Sequence, residues 1–162
     1  MKFLIIDKNN YDYKTLKKDI DRLFDGDNHK IADSIEFMNH LNYIFAQKAN
    51  QGFLVLLYEN NILISMVNYF QYDNQMNYWC EFTLFVNKNY RNKNYAQMVF
   101  LRGLEELRKY SCNKLICGIE KDNISSIKFH EKNNFKYAGC QWNELEEGFP
   151  DNHLGFIYSV DI

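Results

Sequence analysis

Apolar residues change their spacing several times along the chain, and each change marks an element. Residues 2–6 form a short apolar strand, and Tyr13, Leu16, Ile20 and Leu23 then recur at helical spacing between Tyr11 and Phe24. Asp25-Gly26-Asp27-Asn28 interrupts the pattern. A second helix starting near Ile31 keeps Ile31, Ile35, Met38, Leu41 and Phe45 on one face. Phe53 to Tyr58 is a continuous apolar run. Asn60-Asn61 suits a tight turn, because Asn tolerates the left-handed region, and Ile62 to Phe70 returns as a strand. A turn at Asp73-Asn74 leads to a third strand, Tyr78 to Val86; three strands on short turns make an antiparallel meander.

The remainder alternates. Tyr95 to Tyr110 is the strongest helix, with Ala96, Val99, Phe100, Gly103, Leu104 and Leu107 inward and Arg102, Glu105, Arg108 and Lys109 outward. Lys114 to Ile119 is a strand, Asn123 to Asn133 a helix, and Lys136 to Trp142 a strand. Leu154, Phe156, Tyr158 and Val160 alternate as the last strand. The predicted order is β-α-α-β-β-β-α-β-α-β-β, an α/β class with a mixed sheet flanked by helices. With one proline, no repeat and no low-complexity tract, residues 1–162 are expected to form a single domain.

Bulk composition narrows the function classes. Hydrophobic residues make up 46% and charged residues 25%, the balance of a globule with a real core; the 17% aromatic content is read as core packing. A net charge of −2 argues against a nucleic-acid binder. No run approaches the ~20 apolar residues of a membrane span. Met1 to Ile6 is too brief for a signal peptide and Asp7 and Lys8 follow it, so a cytoplasmic protein is expected. Cys80, Cys112, Cys117 and Cys140 lack the pairing that disulfide frameworks and zinc sites use, so free thiols and no metal are expected.

The candidate chemistry lies in Leu84-Phe85-Val86-Asn87-Lys88-Asn89-Tyr90-Arg91-Asn92-Lys93-Asn94-Tyr95-Ala96. A strand ends, a polar turn follows and a helix begins. Unpaired N–H groups and the positive end of the macrodipole make such a helix start suitable for a phosphate, and Arg91 and Lys93 add charge beside it. This stretch resembles the coenzyme-A loop of the GCN5-related N-acetyltransferase (GNAT) superfamily, V-x-P-x-Y-R-x-x-G-x-G/A, at Val86, Tyr90, Arg91 and Ala96. Lys88 replaces its proline and Asn94 its first glycine. Asn123 to Phe135 is similar to the family's N-x-x-A-x-x-x-(Y/H)-E-K-x-G-F, matching at Asn123, His130, Glu131, Lys132 and Phe135, with Ser126 and Asn134 replacing Ala and Gly. Both missing glycines are Asn, the non-glycine residue most at ease in the left-handed region. Asn134 is thus expected to cap its helix, with Phe135 folding back on the last turn.

The resemblance implies a mostly antiparallel GNAT-like sheet with a splayed central strand pair, and an acetyl-coenzyme A-dependent N-acetyltransferase. The pantetheine arm would lie between the strand ending at Val86 and the strand Lys114 to Ile119, against Leu84, Phe85 and Val86. The pyrophosphate would sit on Arg91, Asn92, Lys93, Asn94, Tyr95 and Ala96. A neutral amine would attack the thioester carbonyl directly, with a backbone N–H of the splayed strand stabilising the oxyanion. An alkyl amine has a pKa of about 10, so a base is needed, and Glu81 is the first candidate if a bulge does not turn it away. His130 matches the family position that hydrogen-bonds the leaving sulfur; Tyr137 is the substitute. Asn123 either caps its helix or holds the pantetheine.

The acceptor site of the family corresponds to residues 25–28 and 144–151, both acidic here, so a small cationic primary amine is the expected substrate, met by Asp27, Glu147 and an apolar wall from Trp142 and Phe149. A catalytically silent acyl-coenzyme A-binding module, or a transferase acting on a protein N-terminus or lysine, are the alternatives. A monomer or homodimer is expected. His29, His40 and His153 are read as surface residues.

Overall fold

Short-range signals account for where most elements start and stop in the computed structural model, which describes residues 1–25, 27, 34–46, 51–73, 77–139 and 155–162. In chain order these are β1 (Lys2–Asp7), α1 (Tyr13–Phe24), α2 (Ser34–Ala46), β2 (Gly52–Glu59), β3 (Ile62–Asp73), β4 (Tyr78–Val86), α3 (Tyr95–Leu107), β5 (Lys114–Glu120), α4 (Ile124–Lys132), β6 (Lys136–Gly139) and β7 (Gly155–Asp161). The order is the predicted one. Asp12 caps α1, its side chain accepting from the Lys14 N–H at 3.1 Å. Asn60 and Asn61, at φ 51° and 63°, supply the left-handed pair that a two-residue hairpin needs. Helix α3 ends sooner than expected, at Leu107, and a 3-10 turn (Arg108–Tyr110) completes the segment.

The strands form one seven-stranded sheet in the order β1-β2-β3-β4-β5-β7-β6, antiparallel throughout except for β4 beside β5. Helices α1 and α2 cover one face, where Leu16, Ile20, Phe24, Met38 and Leu41 pack on Leu54, Leu56, Met66 and Phe85. Helix α3 covers the other, with Val99, Phe100 and Leu107 against Phe53, Val55, Val67, Tyr69, Trp79 and Leu115. A Cβ on Gly103 would lie 2.3 Å from the Tyr69 ring, so glycine is what lets α3 settle there.

Two stripes differ from expectation. In α2 the buried residues are Phe37, Met38, Leu41 and Ile44, while Ile35 is exposed. Apolar residues nearly encircle this helix, so periodicity alone offers two stripes and packing selects one. In α3 the buried set includes Glu106, neutralised by Lys109 at 2.7 Å and Arg102 at 3.5 Å.

Two irregularities in β4 place the candidate chemistry. Beside β5 it pairs only from Tyr78 to Glu81, against Lys114 to Cys117; past Glu81 the two strands diverge. On its other edge Asn68 faces Thr83 whereas Tyr69 faces Glu81, so Phe82 is the extra residue of a bulge. An unbroken strand would put Trp79 and Phe85 on one face; here Trp79 packs under α3 and Phe85 under α1 and α2. Asn68 holds the bulge, its Oδ1 accepting the Thr83 N–H at 2.9 Å.

Candidate active site

The turn between β4 and α3 is built almost entirely from Asn geometry. Asn87 accepts from the Asn89 N–H at 3.0 Å and donates from Nδ2 to the Leu23 carbonyl at 3.2 Å. Asn92 and Asn94 are left-handed, at φ 63° and 62°. Asn94 precedes α3 without a side-chain capping hydrogen bond, so the first turn of the helix carries no side-chain cap where phosphate oxygens could accept. Lys93 reaches over the Tyr90 ring, and the Tyr95 hydroxyl donates to Glu59 at 3.1 Å. Ala96 stands half-buried in the first turn.

Arg91 is engaged elsewhere. Its Nε donates to the Val86 carbonyl at 3.1 Å, its guanidinium lies over the Phe85 ring, and it forms an ion pair with Asp27. One bridge thus takes up an expected pyrophosphate ligand, an expected acceptor-site carboxylate and a backbone oxygen of the splayed strand. Phe85 itself turns toward Phe24, and its carbonyl accepts from Ser65 at 2.9 Å, whereas Leu84 is partly buried on the α3 side. Asn123 is a cap: its Oδ1 accepts from the Ser126 N–H at 3.2 Å and from the Ser125 hydroxyl at 3.1 Å.

At the last paired residue of β4, Glu81 is 3% exposed and points toward α4. His130, also 3% exposed, meets it with Nε2 2.9 Å from Oε1. The other ring nitrogen lies 2.8 Å from the Ser126 carbonyl, which can only accept, so Nδ1 carries a hydrogen. Burial opposes the charged imidazole, but the Glu81 charge and the hydrogen bonds to Glu81 and Ser126 outweigh it and hold the His130 pKa above its ordinary value. Glu81 Oε2, the other carboxylate oxygen, is buried without a hydrogen-bond partner. Cys117, facing Glu81 across the last β4–β5 pairing, is pushed well up by burial and then by that carboxylate.

Helix α4 ends so as to brace this pair. Asn134 is left-handed at φ 68°; its N–H donates to the Glu131 carbonyl at 3.0 Å, and the Phe135 N–H donates to the His130 carbonyl at 3.0 Å. This double closure returns Phe135 edge-on to the imidazole, ring centroids 5.0 Å apart. The left-handed cap expected at Asn134 therefore presses an apolar wall on His130. Tyr137 is 55% exposed on β6 and packs against the Tyr158 ring.

Trp142, Glu147 and Phe149 lie outside the described residues, as do His29, Cys140 and His153. Cys80, Cys112 and Cys117 are buried free thiols, and among the described residues no cluster could hold a metal ion. No described helix is long and apolar enough to cross a membrane. His40, read from sequence as a surface residue, is instead half-buried and stacked on Phe82, ring centroids 3.8 Å apart. Its place inside α2's packed face was hidden by the same two-stripe ambiguity that misplaced Ile35.

Known proteins share this framework. The model of the Acetyltransferase (GNAT) family matches residues 17–135. A GNAT-family acetyltransferase of Staphylococcus aureus superposes with a TM-score of 0.71 at 17% identity, covering 99% of each chain. The PaiA N-acetyltransferase of Thermoplasma acidophilum, solved with coenzyme A, gives 0.62 at 14% identity over 100% of both chains. The ribosomal-protein-S18-alanine N-acetyltransferase of Escherichia coli gives 0.69 at 12%, over 99% of this chain and 94% of that one. No curated protein sequence matches.

Proposed function

The chain belongs to the Acetyltransferase (GNAT) family, and from that premise we propose that it transfers an acetyl group from acetyl-coenzyme A to a primary amine on a small molecule. The observation that carries this is the coincidence of three features at one point of β4: the divergence from β5 past Glu81, the bulge at Phe82, and the buried Glu81–His130 pair. The backbone of Leu84 and Val86, beyond the last β4–β5 pairing, would face the pantetheine, and the uncapped start of α3 with Asn92, Lys93, Asn94, Tyr95 and Ala96 would meet the pyrophosphate. Lys93 and the helix N–H groups would meet the phosphate charge, with the partly exposed Arg91 guanidinium held beside them by the Val86 carbonyl and Asp27.

Acetyl-coenzyme A, when bound, supplies an activated acyl carbon and a thiol leaving group. Glu81 Oε2 is the acceptor for the amine's proton. His130 Nε2, on Oε1, orients that carboxylate. Both imidazole nitrogens are occupied, so His130 acts through Glu81 instead of on the sulfur. A carboxyl so placed is also a ready proton donor once it has been protonated.

Calorimetric titration of acetyl-coenzyme A tests the reading, with Lys93→Ala and Ala96→Glu beside the wild type. Binding that weakens severalfold in the first and is abolished in the second is the expected result. Wild-type protein that takes up no acetyl-coenzyme A reduces the reading to a statement about fold.

A further inference from the structure

The opposite side of the bulge holds a second group of buried polar atoms, on the face covered by α2. Thr83 Oγ1, Asn68 Nδ2 and His40 Nε2 are each buried without a hydrogen-bond partner. They are neighbours by construction: Asn68 and Thr83 face each other across β3 and β4. His40 stacks on Phe82, next to Thr83, and meets Phe70, two residues beyond Asn68, edge-on at 5.5 Å. Asn68 and Thr83 are 1% and 4% exposed, while Phe82 is 42% exposed. Native structures seldom leave buried polar atoms unpaired, and three at one bulge mark a place where something else completes them.

We propose that this patch is the acceptor subsite: Phe82 and Phe70 pack on a planar apolar body, and His40, Asn68 and Thr83 bind an uncharged carbonyl or hydroxyl group that it carries. The proposal rests on the transferase reading above and specifies its substrate class. Asn68 Oδ1 is committed to the Thr83 N–H, which leaves Nδ2 as a donor. The Thr83 hydroxyl is a second donor, and a carbonyl oxygen accepts from both. His40 adds no charge, because burial pushes its pKa down to about 4. The patch suits a neutral polar group better than a second ammonium. Phe82 follows Glu81 directly, at the first position where β4 leaves β5, so a body resting on its ring can send an amine into the gap beside the carboxylate.

The probe is L-phenylalaninamide, which joins a phenyl ring, an amide carbonyl and a primary amine; cadaverine, with neither ring nor carbonyl, is the control. Each is titrated by calorimetry into the protein with coenzyme A present, for the wild type, Thr83→Val and His40→Phe. Both substitutions keep the packing and delete one orphan atom. Phenylalaninamide affinity is expected to fall about tenfold in each, cadaverine binding to stay unchanged, and melting temperatures to hold or rise, since the deleted groups are unpaired without ligand. No phenylalaninamide binding to the wild type, or undiminished binding in both variants, overturns the subsite. Cadaverine acetylation alongside that result leaves the transferase standing. Phenylalaninamide binding that falls in both variants, in a protein that takes no acetyl-coenzyme A, supports the patch and overturns the transferase.

Discussion

On the two sides of β4, within one bulge, the fold buries two imidazoles and treats them in opposite ways. His130, under α4, meets a carboxylate and a backbone carbonyl, and its pKa rises. His40, under α2, meets two phenyl rings and no charge, and burial takes it down to about 4. Depth does not set the order, since the more deeply buried His130 is the one whose pKa rises; the partner decides the direction. The bulge makes the contrast possible, because one extra residue turns Glu81 toward α4 and Phe82 and Thr83 toward α2. A regular strand would have sent Glu81 and Thr83 to the same face. The carboxylate–imidazole pair and the aromatic patch are thus kept on opposite faces of β4, beside the point where it leaves β5.

The largest effect tests the charged side. Glu81→Gln keeps the size of the side chain and removes the proposed base. With a positioned base worth 10²- to 10⁴-fold, turnover at saturating acetyl-coenzyme A is expected to fall by about 10³-fold, with the far-ultraviolet dichroism unchanged. An activity within threefold of wild type breaks the comparison, since the paired histidine would then be structural. His130→Gln is expected to lose less than Glu81→Gln, because it removes the group that orients the carboxylate without removing the carboxylate itself.

Acidity sets the two histidines against each other in stability. For His40 the folded pKa, about 4, lies below the unfolded value of about 6.5. Its contribution is therefore complete above pH 6.5 and is lost as the pH falls toward 4, by up to about 3 kcal/mol. For His130 the folded pKa is raised, so its contribution is complete below about pH 6.5 and is lost as the pH climbs through the raised value. Urea unfolding across pH 4–8 is expected to show a weaker acid slope in His40→Phe and a weaker alkaline slope in His130→Gln. Equal slopes in the two variants would mean that the partners do not set the charges.

How much of this the sequence carries depends on the distance over which each feature is decided. Caps and turns are local, so the left-handed Asn60, Asn61, Asn94 and Asn134 follow from residue type and position, and element order follows from periodicity. His130 was visible only through its place in a family motif, and Glu81 only as a carboxylate on the strand that the family resemblance picks out; nothing in their 49-residue separation announces a hydrogen bond. The bulge at Phe82 depends on the register with β3, a long-range quantity, and with it went His40, Asn68 and Thr83. Arg91 shows the same limit from the other side: its motif position suggests phosphate, while the contacts with Asp27 and the Val86 carbonyl that folding brings to it are not legible in the motif.

The smallest effect separates the two Asn substitutions that stand where the family has glycine. Both residues are left-handed, but Asn134 belongs to a finished cap whose hydrogen bonds close α4 and return Phe135 to His130, whereas Asn94 has no side-chain capping bond. Asn134→Ala keeps the closure only by forcing an alanine into the left-handed region, at a cost of roughly 1 kcal/mol. It is expected also to loosen the Phe135 wall and so depress activity. Asn94→Gly relieves a mild backbone penalty, with a gain of a few tenths of a kcal/mol offset by a freer unfolded chain. Its effect on folding should be near zero. Its value is at the ligand: glycine removes a side chain from the turn proposed to meet the phosphates, so acetyl-coenzyme A should bind more tightly, read by the same titration. Tighter binding without added stability would show that Asn94 serves the backbone conformation and limits the approach of the ligand. Unchanged binding would mean that the Asn94 side chain already lies clear of the pyrophosphate path, and that the missing glycine mattered for its φ angle alone.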